Sequence, residues 1–155
     1  MDDYVKKKED LKKVTKPWGH ELWLASESTD SKYAFKEIFI KSGFKTSYQF
    51  HQFKEETNYI ISGEGYLLIS DFKIDLTKFL NNEYSNLDLN QFIDQLKKFN
   101  LSPGSCFHVL PQHIHAVIST DNLKMCETST LHLDDVFRIN DEYGRNHGRI
   151  DSEHI

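Results

Sequence analysis

Short segments of β-branched and aromatic residues, separated by turn-forming residues, constrain the fold of this chain more than any other feature. The turns at Ser42-Gly43 and Pro103-Gly104, for example, each lie next to a strand-like segment. Many short strands with turn residues between them are typical of an antiparallel sandwich or barrel. We therefore predict an all-β fold with strands at residues 34–41, 48–50, 58–61, 65–70, 105–110, 115–120 and 124–130.

The length of 155 residues is sufficient for one domain with a single hydrophobic core. We predict a charged N-terminal arm at residues 1–15, a single β domain at 16–145 and a polar C-terminal tail at 146–155. The arm offers few apolar side chains for burial, so a marginal helix or a frayed terminus is expected there.

One segment departs from the strand pattern. Apolar residues at positions 89, 92, 93, 96 and 99 form a helical stripe, and Asp88 is placed to cap it, with Gln91 three residues further on. We therefore predict a short helical insert at about 86–100, packed on the outside of the β domain.

Composition argues against several classes of protein. The formal net charge is −5, and no basic stripe is present that could follow a phosphate backbone. No segment approaches the roughly 20 apolar residues of a membrane span, and no apolar signal segment follows the first residues. We expect a soluble cytoplasmic protein that binds neither nucleic acid nor membranes. Cys106 and Cys126 lie in strand-like runs, which predicts reduced thiols in the core.

Two glycine-bounded blocks contain the most specific spacing. In the first block, Gln49 and His51 are two residues apart on a predicted strand, so both side chains point to the same face. A short turn can then return Glu56 to the same place from the next strand. The second block, residues 104–115, supplies a further imidazole at His115.

These two blocks resemble the two conserved motifs of the cupin superfamily, a small jelly-roll-like β-barrel that holds one metal ion in its mouth. Gln49-Phe50-His51 is similar to the Gln-Tyr-His of the mannose-6-phosphate isomerases in that superfamily. Residues 16–19 resemble the opening of those isomerases, and residues 133–145 resemble their closing segment. The resemblance covers residues 16–145 and is strongest to the isomerase domain of the bacterial bifunctional mannose-6-phosphate isomerase/mannose-1-phosphate guanylyltransferase.

The chain also departs from those relatives. Leu110, Gln112 and Ser119 differ from the usual residues of the second motif, and the segment between the motifs is lengthened at about 71–100. Guanylyl transfer is not expected, because the length leaves no room for a nucleotidyltransferase domain.

The resemblance implies one divalent metal ion bound by Gln49, His51, Glu56 and His115. An amide oxygen, two imidazoles and one carboxylate form a mixed N/O shell that suits Zn, our first expectation, and also Mn, Fe, Co or Ni. One carboxylate against a divalent ion leaves about one net positive charge, which helps to bind an oxyanion.

Three further residues are candidates for catalysis or substrate binding. Arg145, which stands at the terminal Tyr-Gly-Arg of those isomerases, could bind a substrate phosphate through its guanidinium, with a surface salt bridge as the alternative. Lys36 and Glu127 lie in strands that could face the interior. Isomerisation also requires a general base, for which Glu127 is preferred, then His108, then Lys36.

The resemblance implies a metal-dependent aldose–ketose isomerase that converts mannose 6-phosphate, or a related sugar, to fructose 6-phosphate. The expected partner is a sugar phosphate or a nucleotide sugar, and exposed barrel edges favour a homodimer. Two alternatives stay open. One is a metal-binding cupin without isomerase activity that serves as a sugar-binding or regulatory module in polysaccharide synthesis. The other is a different metal-dependent cupin enzyme, such as a dioxygenase or a sugar epimerase.

Overall fold

The computed structural model describes residues 4–155, which form a curled antiparallel sheet with two short helices on it. The nine strands are β1 (Lys12–Lys16), β2 (Gly19–Ala25), β3 (Ala34–Ile40), β4 (Gln49–Phe50), β5 (Glu56–Ile69), β6 (Lys97–Leu101), β7 (Cys106–Val109), β8 (His115–Ser129) and β9 (Phe137–Arg138). The helices are α1 (Leu76–Leu80) and α2 (Asn86–Asp94), and single 3₁₀ turns occur at Lys8–Asp10, Glu27–Thr29 and Asp151–His154.

The order of hydrogen-bonded strands is β1-β2-β3-β8-β4-β9, and β5 pairs with β6, β7 and β8. The long ladder between β5 and β8 runs from the pair Glu56 and Ser129 to the pair Ile69 and His115. A straight ladder of this length would be about 40 Å long. Glu56 and His115 lie at its opposite ends, yet their side chains are 3.7 Å apart. The sheet therefore curls back on itself, and this closure creates the site described below.

In two places, two consecutive predicted strands form one continuous strand in the structure. Residues 58–61 and 65–70 both belong to β5, and 115–120 and 124–130 both belong to β8, apart from Ser70 and Thr130 at the ends. The register between these strands shifts at positions 60 to 65. Gly63 lies there with φ +82°, and a Cβ at this position would be 2.1 Å from the carbonyl oxygen of Asn122. The turn-like residues therefore form bulges inside the strands instead of ending them.

Two apolar clusters support the sheet. The larger cluster fills the curled sheet and comprises Trp18, Ile38, Ile40, Ile60, Leu67, Leu101, Val117, Leu123 and Met125. The smaller cluster lies beneath the helices and comprises Phe50, Ile74, Leu89, Ile114 and Ile139.

The predicted helical insert is correct in kind but wrong in extent. Helix α2 is capped by Ser85, whose hydroxyl accepts from the Asp88 N–H while the Asp88 carboxylate accepts from the Ser85 N–H. The helix ends at Asp94, because residues 97–101 pair with β5 as strand β6. Phe99, predicted on the buried stripe, is 52% exposed. Backbone pairing with β5 outweighed the helical periodicity of residues 97–101. Helix α1 was not predicted from the sequence.

The predicted marginal helix in the N-terminal arm is limited to the 3₁₀ turn at Lys8–Asp10. Residues 12–16 instead form β1, which pairs with β2 and buries Val14 completely. The domain boundaries proposed from the sequence stay predictions.

Both cysteines are free thiols, but the prediction that they lie in the core is wrong. Cys106 is exposed and Cys126 is half-buried. Each pairs with Tyr59 from a different side of β5, so they lie two strands apart on the outer face of the sheet. Within residues 4–155, no helix has both the length and the apolar character needed to cross a membrane.

Candidate metal centre

Three buried side chains converge where the curled sheet closes. His51 follows β4 directly, Glu56 begins β5 and His115 begins β8. The distance from His51 Nε2 to Glu56 Oε2 is 3.6 Å, and that from His115 Nε2 to Glu56 Oε1 is 3.7 Å. All three potential ligand atoms lie within 4.8 Å of one another. Two imidazoles and a carboxylate at this spacing are able to hold a divalent metal ion.

Hydrogen bonds orient both imidazoles toward the carboxylate. His51 Nδ1 lies 2.6 Å from the carbonyl oxygen of Asp135, and His115 Nδ1 lies 3.0 Å from that of His113. A carbonyl oxygen only accepts, so each Nδ1 carries the proton and each Nε2 presents its lone pair. Both Nε2 atoms are buried without a hydrogen-bond partner among residues 4–155. These unpaired atoms fit a metal ion.

The electrostatics of the cluster also suit a cation. Burial lowers the pKa of His115 to about 4, with a further contribution from His51, so this imidazole is neutral at pH 7 and able to bind metal. Burial acts to raise the pKa of Glu56, but the neighbouring Lys54 ammonium and the two imidazoles hold it well below its ordinary value. Glu56 therefore supplies a full negative charge.

Lys54 is a member of the site that the sequence analysis missed. Its Nζ lies 3.1 Å from Glu56 Oε2 and 3.0 Å from Glu127 Oε1, and it is 4% exposed. Residues 54, 56 and 58 are all buried. Period-2 alternation traced back from Glu56 could have placed Lys54 on the same face.

Asp135 fixes the turn that carries His51, and the sequence analysis had not identified this role. Its carboxylate accepts from the backbone N–H groups of Gln52, Phe53 and Lys54 at 2.9, 2.6 and 3.0 Å. Partial burial acts to raise the pKa of Asp135, but these three donors lower it below its ordinary value. No local spacing links residue 135 to residues 51–54, so only the folded chain reveals the contact.

Gln49 lines the same cavity as Glu56 and His115. It lies directly opposite His115 in the β4–β8 ladder, and its Oε1 accepts from the Ser47 hydroxyl at 2.8 Å. The structure thus brings Gln49 beside the cluster, while its role as a metal ligand stays a prediction.

Lys36, Glu127 and Arg145 also line this cavity. Lys36 Nζ lies 3.2 Å from Glu21 Oε1, which also accepts from Trp23 Nε1 at 2.9 Å. Burial acts to raise the pKa of Glu21, but the Lys36 ammonium lowers it to about 2. Lys16 and the hydrogen bond from Trp23 make smaller contributions in the same direction. A buried lysine and a buried glutamate therefore form one ion pair in the wall.

Arg145 is held by carboxylates of its own chain. Its Nε lies 3.0 Å from Asp141 Oδ2, and its Nη1 lies 3.2 Å from Glu153 Oε2. His108, one of the three candidate bases, lies outside the cavity lining, is exposed and bonds Thr57 Oγ1 through Nδ1 at 2.8 Å. The strand alternation that turns Val109 inward turns His108 outward.

The predicted polar tail forms part of the cavity wall. Gly148, Arg149, Ile150 and His154 line the cavity together with Arg138 of β9. Glu153 is buried between Lys16, at 2.8 Å, and Arg145. We refer to residues 146–154 as the C-terminal segment.

The sequence matches no protein-family model, and no curated protein sequence matches it. Solved structures do resemble it. The polyketide cyclase RemF from Streptomyces resistomycificus has a TM-score of 0.63 at 13% identity, covering 92% of this chain and 91% of its own. A putative sugar phosphate isomerase from Acidithiobacillus ferrooxidans has a TM-score of 0.52 at 15% identity, covering 82% of this chain and 70% of its own.

The capsular polysaccharide assembling protein CapF from Staphylococcus aureus has a TM-score of 0.62 at 11% identity, and 88% of this chain matches 33% of CapF. This chain therefore spans about a third of CapF. At such low identities the likeness establishes the fold alone. Together with the curled antiparallel sheet, it identifies the fold of this chain as a cupin-like β-barrel. Within that fold, the spacing of His51, Glu56 and His115 is suited to a metal ion.

Proposed function

We propose that the protein is a metal-dependent aldose–ketose isomerase of a sugar phosphate, of the mannose-6-phosphate isomerase type. The observation that carries this proposal is that the unpartnered His51 Nε2 and His115 Nε2 face the Glu56 carboxylate, beside a cavity with lysine and arginine in its walls. A neighbour of the same fold is named a putative sugar phosphate isomerase, which supports this substrate class.

His51, Glu56 and His115, with Gln49 beside them, would hold the metal ion. A bound divalent metal, with Zn the first candidate, supplies Lewis-acid polarisation of the substrate's carbonyl and hydroxyl oxygens. The hydrogen bonds to Asp135 and His113 keep the two imidazoles in the orientation that this requires.

Glu127 is the best placed general base among the three sequence candidates. It is buried in the cavity wall, and Lys54 positions its carboxylate through a hydrogen bond of 3.0 Å. In this role Glu127 would accept the proton from C2 of the sugar and return it at C1. Lys36 is engaged with Glu21 and is therefore a weaker candidate. His108 is exposed outside the cavity lining, which removes it from the candidates.

Conversion of mannose 6-phosphate to fructose 6-phosphate tests the proposal directly. Full-length protein purified without chelator should turn over the substrate, and both EDTA treatment and His51→Ala should abolish turnover and bound metal. His108→Ala is the matched control, because it removes an exposed imidazole outside the cavity lining and should leave both intact. Turnover that survives EDTA treatment and His51→Ala would contradict the proposal.

One observation favours the alternative of a sugar-binding module without isomerase activity. The Lys54 ammonium lies 3.1 Å from Glu56 Oε2, where it competes electrostatically with a metal ion. The fold neighbour CapF is named a capsular polysaccharide assembling protein. Elemental analysis and the turnover assay together separate the hypotheses: the metal-binding module expected from the sequence would carry metal without turnover, and a protein in which Lys54 excludes the ion would show neither. The homodimer and the cytoplasmic location stay predictions.

A further inference from the structure

All three arginines of the chain line one cavity. They are Arg138, Arg145 and Arg149, and they lie close together in sequence. A guanidinium presents several donors in a planar fork that matches phosphate oxygens. The three residues differ in the counter-charge that the folded chain provides for each of them.

Arg145 is neutralised by its own chain. The Asp141 carboxylate accepts from its Nε and Nη2, and Glu153 accepts from its Nη1. Both carboxylates are almost fully buried, with side chains 3% and 9% exposed. Arg145 therefore has little capacity left for a ligand.

Arg138 has no such partner. It is 7% exposed, and no carboxylate within residues 4–155 forms a salt bridge with it. Its Nη1 donates to the backbone carbonyl oxygens of Asn146 and Gly148, the latter at 3.0 Å, while its buried Nε has no partner. A buried charge without a counter-charge is costly, and buried charges in proteins are usually paired. The carboxylates of Glu153, Asp141 and Glu21 attract Arg138 from a distance, but none forms a salt bridge with it, so Arg138 lacks a directly bound anion.

Arg149 carries a second available cation in the same wall. Its Nε lies 3.1 Å from Asp151 Oδ1, but that side chain is 94% exposed. An exposed ion pair of this kind contributes little to stability, so Arg149 can exchange Asp151 for a ligand at little cost. Arg149 follows Gly148, whose carbonyl oxygen binds Arg138.

We propose that Arg138 and Arg149 together bind a phosphate group in the part of the cavity formed by the C-terminal segment. The identification of this group with the phosphate of a sugar phosphate rests on the proposed function. Binding of inorganic phosphate at the two arginines does not require that reaction. The pairing explains why a segment with little apolar surface forms a wall of the cavity: its backbone holds one arginine and its side chains supply the other.

Calorimetric titration of full-length protein with inorganic phosphate tests the proposal. EDTA-treated protein is used, so that phosphate bound to metal is not counted. Arg149→Gln should weaken phosphate binding at least about tenfold, and so should Arg138→Lys, because a lysine lacks the planar fork of donors. Lys124→Gln is the matched control and should change nothing, since Lys124 is on β8 next to the inward-facing Met125 and points to the outer face.

The outcomes separate this inference from the isomerase proposal. Unchanged phosphate affinity in the exposed Arg149→Gln variant and in folded Arg138→Lys, or no phosphate binding by the unaltered protein, would overturn the subsite. Arginine-dependent phosphate binding without turnover of any sugar phosphate would support the subsite and contradict the isomerase. Turnover of mannose 6-phosphate with the same KM in both arginine variants would retain the isomerase and remove the subsite.

Discussion

Different forces hold two parts of the cavity in place. One part is the end at His51, Glu56 and His115, called the metal end below, and the other is the wall formed by the C-terminal segment. At the metal end, the two imidazoles are hydrogen-bonded to backbone carbonyl oxygens, that of Asp135 just before β9 and that of His113 just before β8. In the wall, Glu153 joins the segment to Lys16 at 2.8 Å and to Arg145 at 3.2 Å. One end depends on backbone geometry and the other on charged side chains far apart in sequence.

This difference has physical consequences. Side-chain ion pairs weaken with protonation and with salt, whereas hydrogen bonds between an imidazole and the backbone depend mainly on the sheet staying closed. We therefore expect the wall to respond to conditions that leave the metal end intact. Three predictions test this comparison, in order of decreasing expected effect.

The largest effect concerns Glu21, in the side of the cavity between the two ends. Its folded pKa of about 2 lies below its ordinary value of 4.5, so the unfolded chain binds the proton first as pH falls. Its stabilising contribution is present above pH 4.5 and is lost as pH falls toward 2, by about 3 kcal/mol in total. The free energy of unfolding of Glu21→Gln, measured by urea titration, should therefore depend less steeply on pH in this window.

Glu27→Gln is the control for the pH series, because Glu27 is an exposed glutamate in a 3₁₀ turn. An equally steep pH dependence in Glu21→Gln and in the unaltered protein would show that the Lys36 pair contributes no acid sensitivity.

The second effect concerns Asp135 at the metal end. Asp135→Ala removes the acceptor of three backbone N–H groups and should lower the free energy of unfolding by about 2 kcal/mol. It should also weaken metal binding, because the His51 turn loses its support. Urea unfolding and metal titration measure the two effects. Asp134→Ala, at the exposed neighbour, is the control, and equal stability of the two variants would argue against this role of Asp135.

The smallest effect concerns Glu153 in the wall. Glu153→Gln should lower the global free energy of unfolding by about 1 kcal/mol, because its carboxylate is nearly buried between two cations. Hydrogen exchange in residues 146–154 should become faster while exchange at His51 and His115 stays the same. Asp151→Asn, at an almost fully exposed carboxylate, is the control. Faster exchange at both ends would show that they are not independent.

Much of the fold was predictable because strand signals are local. The alternation of buried and exposed residues in β3 and the turn residues between the strands are present in the sequence itself. The errors have one common cause, which is pairing with distant residues. Residues 97–101 follow a helical stripe but join β5, and residues 12–16 look like a charged arm but join β2. Ladder hydrogen bonds along one edge of these segments, together with burial of Val14 and Leu101, outweigh weak local preferences.

The candidate site divides in the same way. The spacing within residues 49–56 predicted that Gln49, His51 and Glu56 lie together, and the resemblance to the cupin motifs added His115. The structure brings Gln49, Glu56 and His115 to one cavity, with His51 within contact distance of the last two. Asp135 contacts His51, and Arg138 contacts the backbone of Gly148. No sequence pattern links either pair, so these contacts were not predictable. Arg145 was the expected phosphate ligand, with a salt bridge as the alternative, and the folded chain shows ion pairs with Asp141 and Glu153.

By itself, the sequence determined the all-β class, the main strands and the residue types able to hold a metal ion. These features follow from period-2 alternation and short-range spacing, which act within a few residues. Only the tertiary structure decided which charges are paired and which are left for a ligand. The reason is that the curled sheet brings together side chains from opposite ends of the chain, such as Lys16 and Glu153, and burial then determines the strength of each charge interaction.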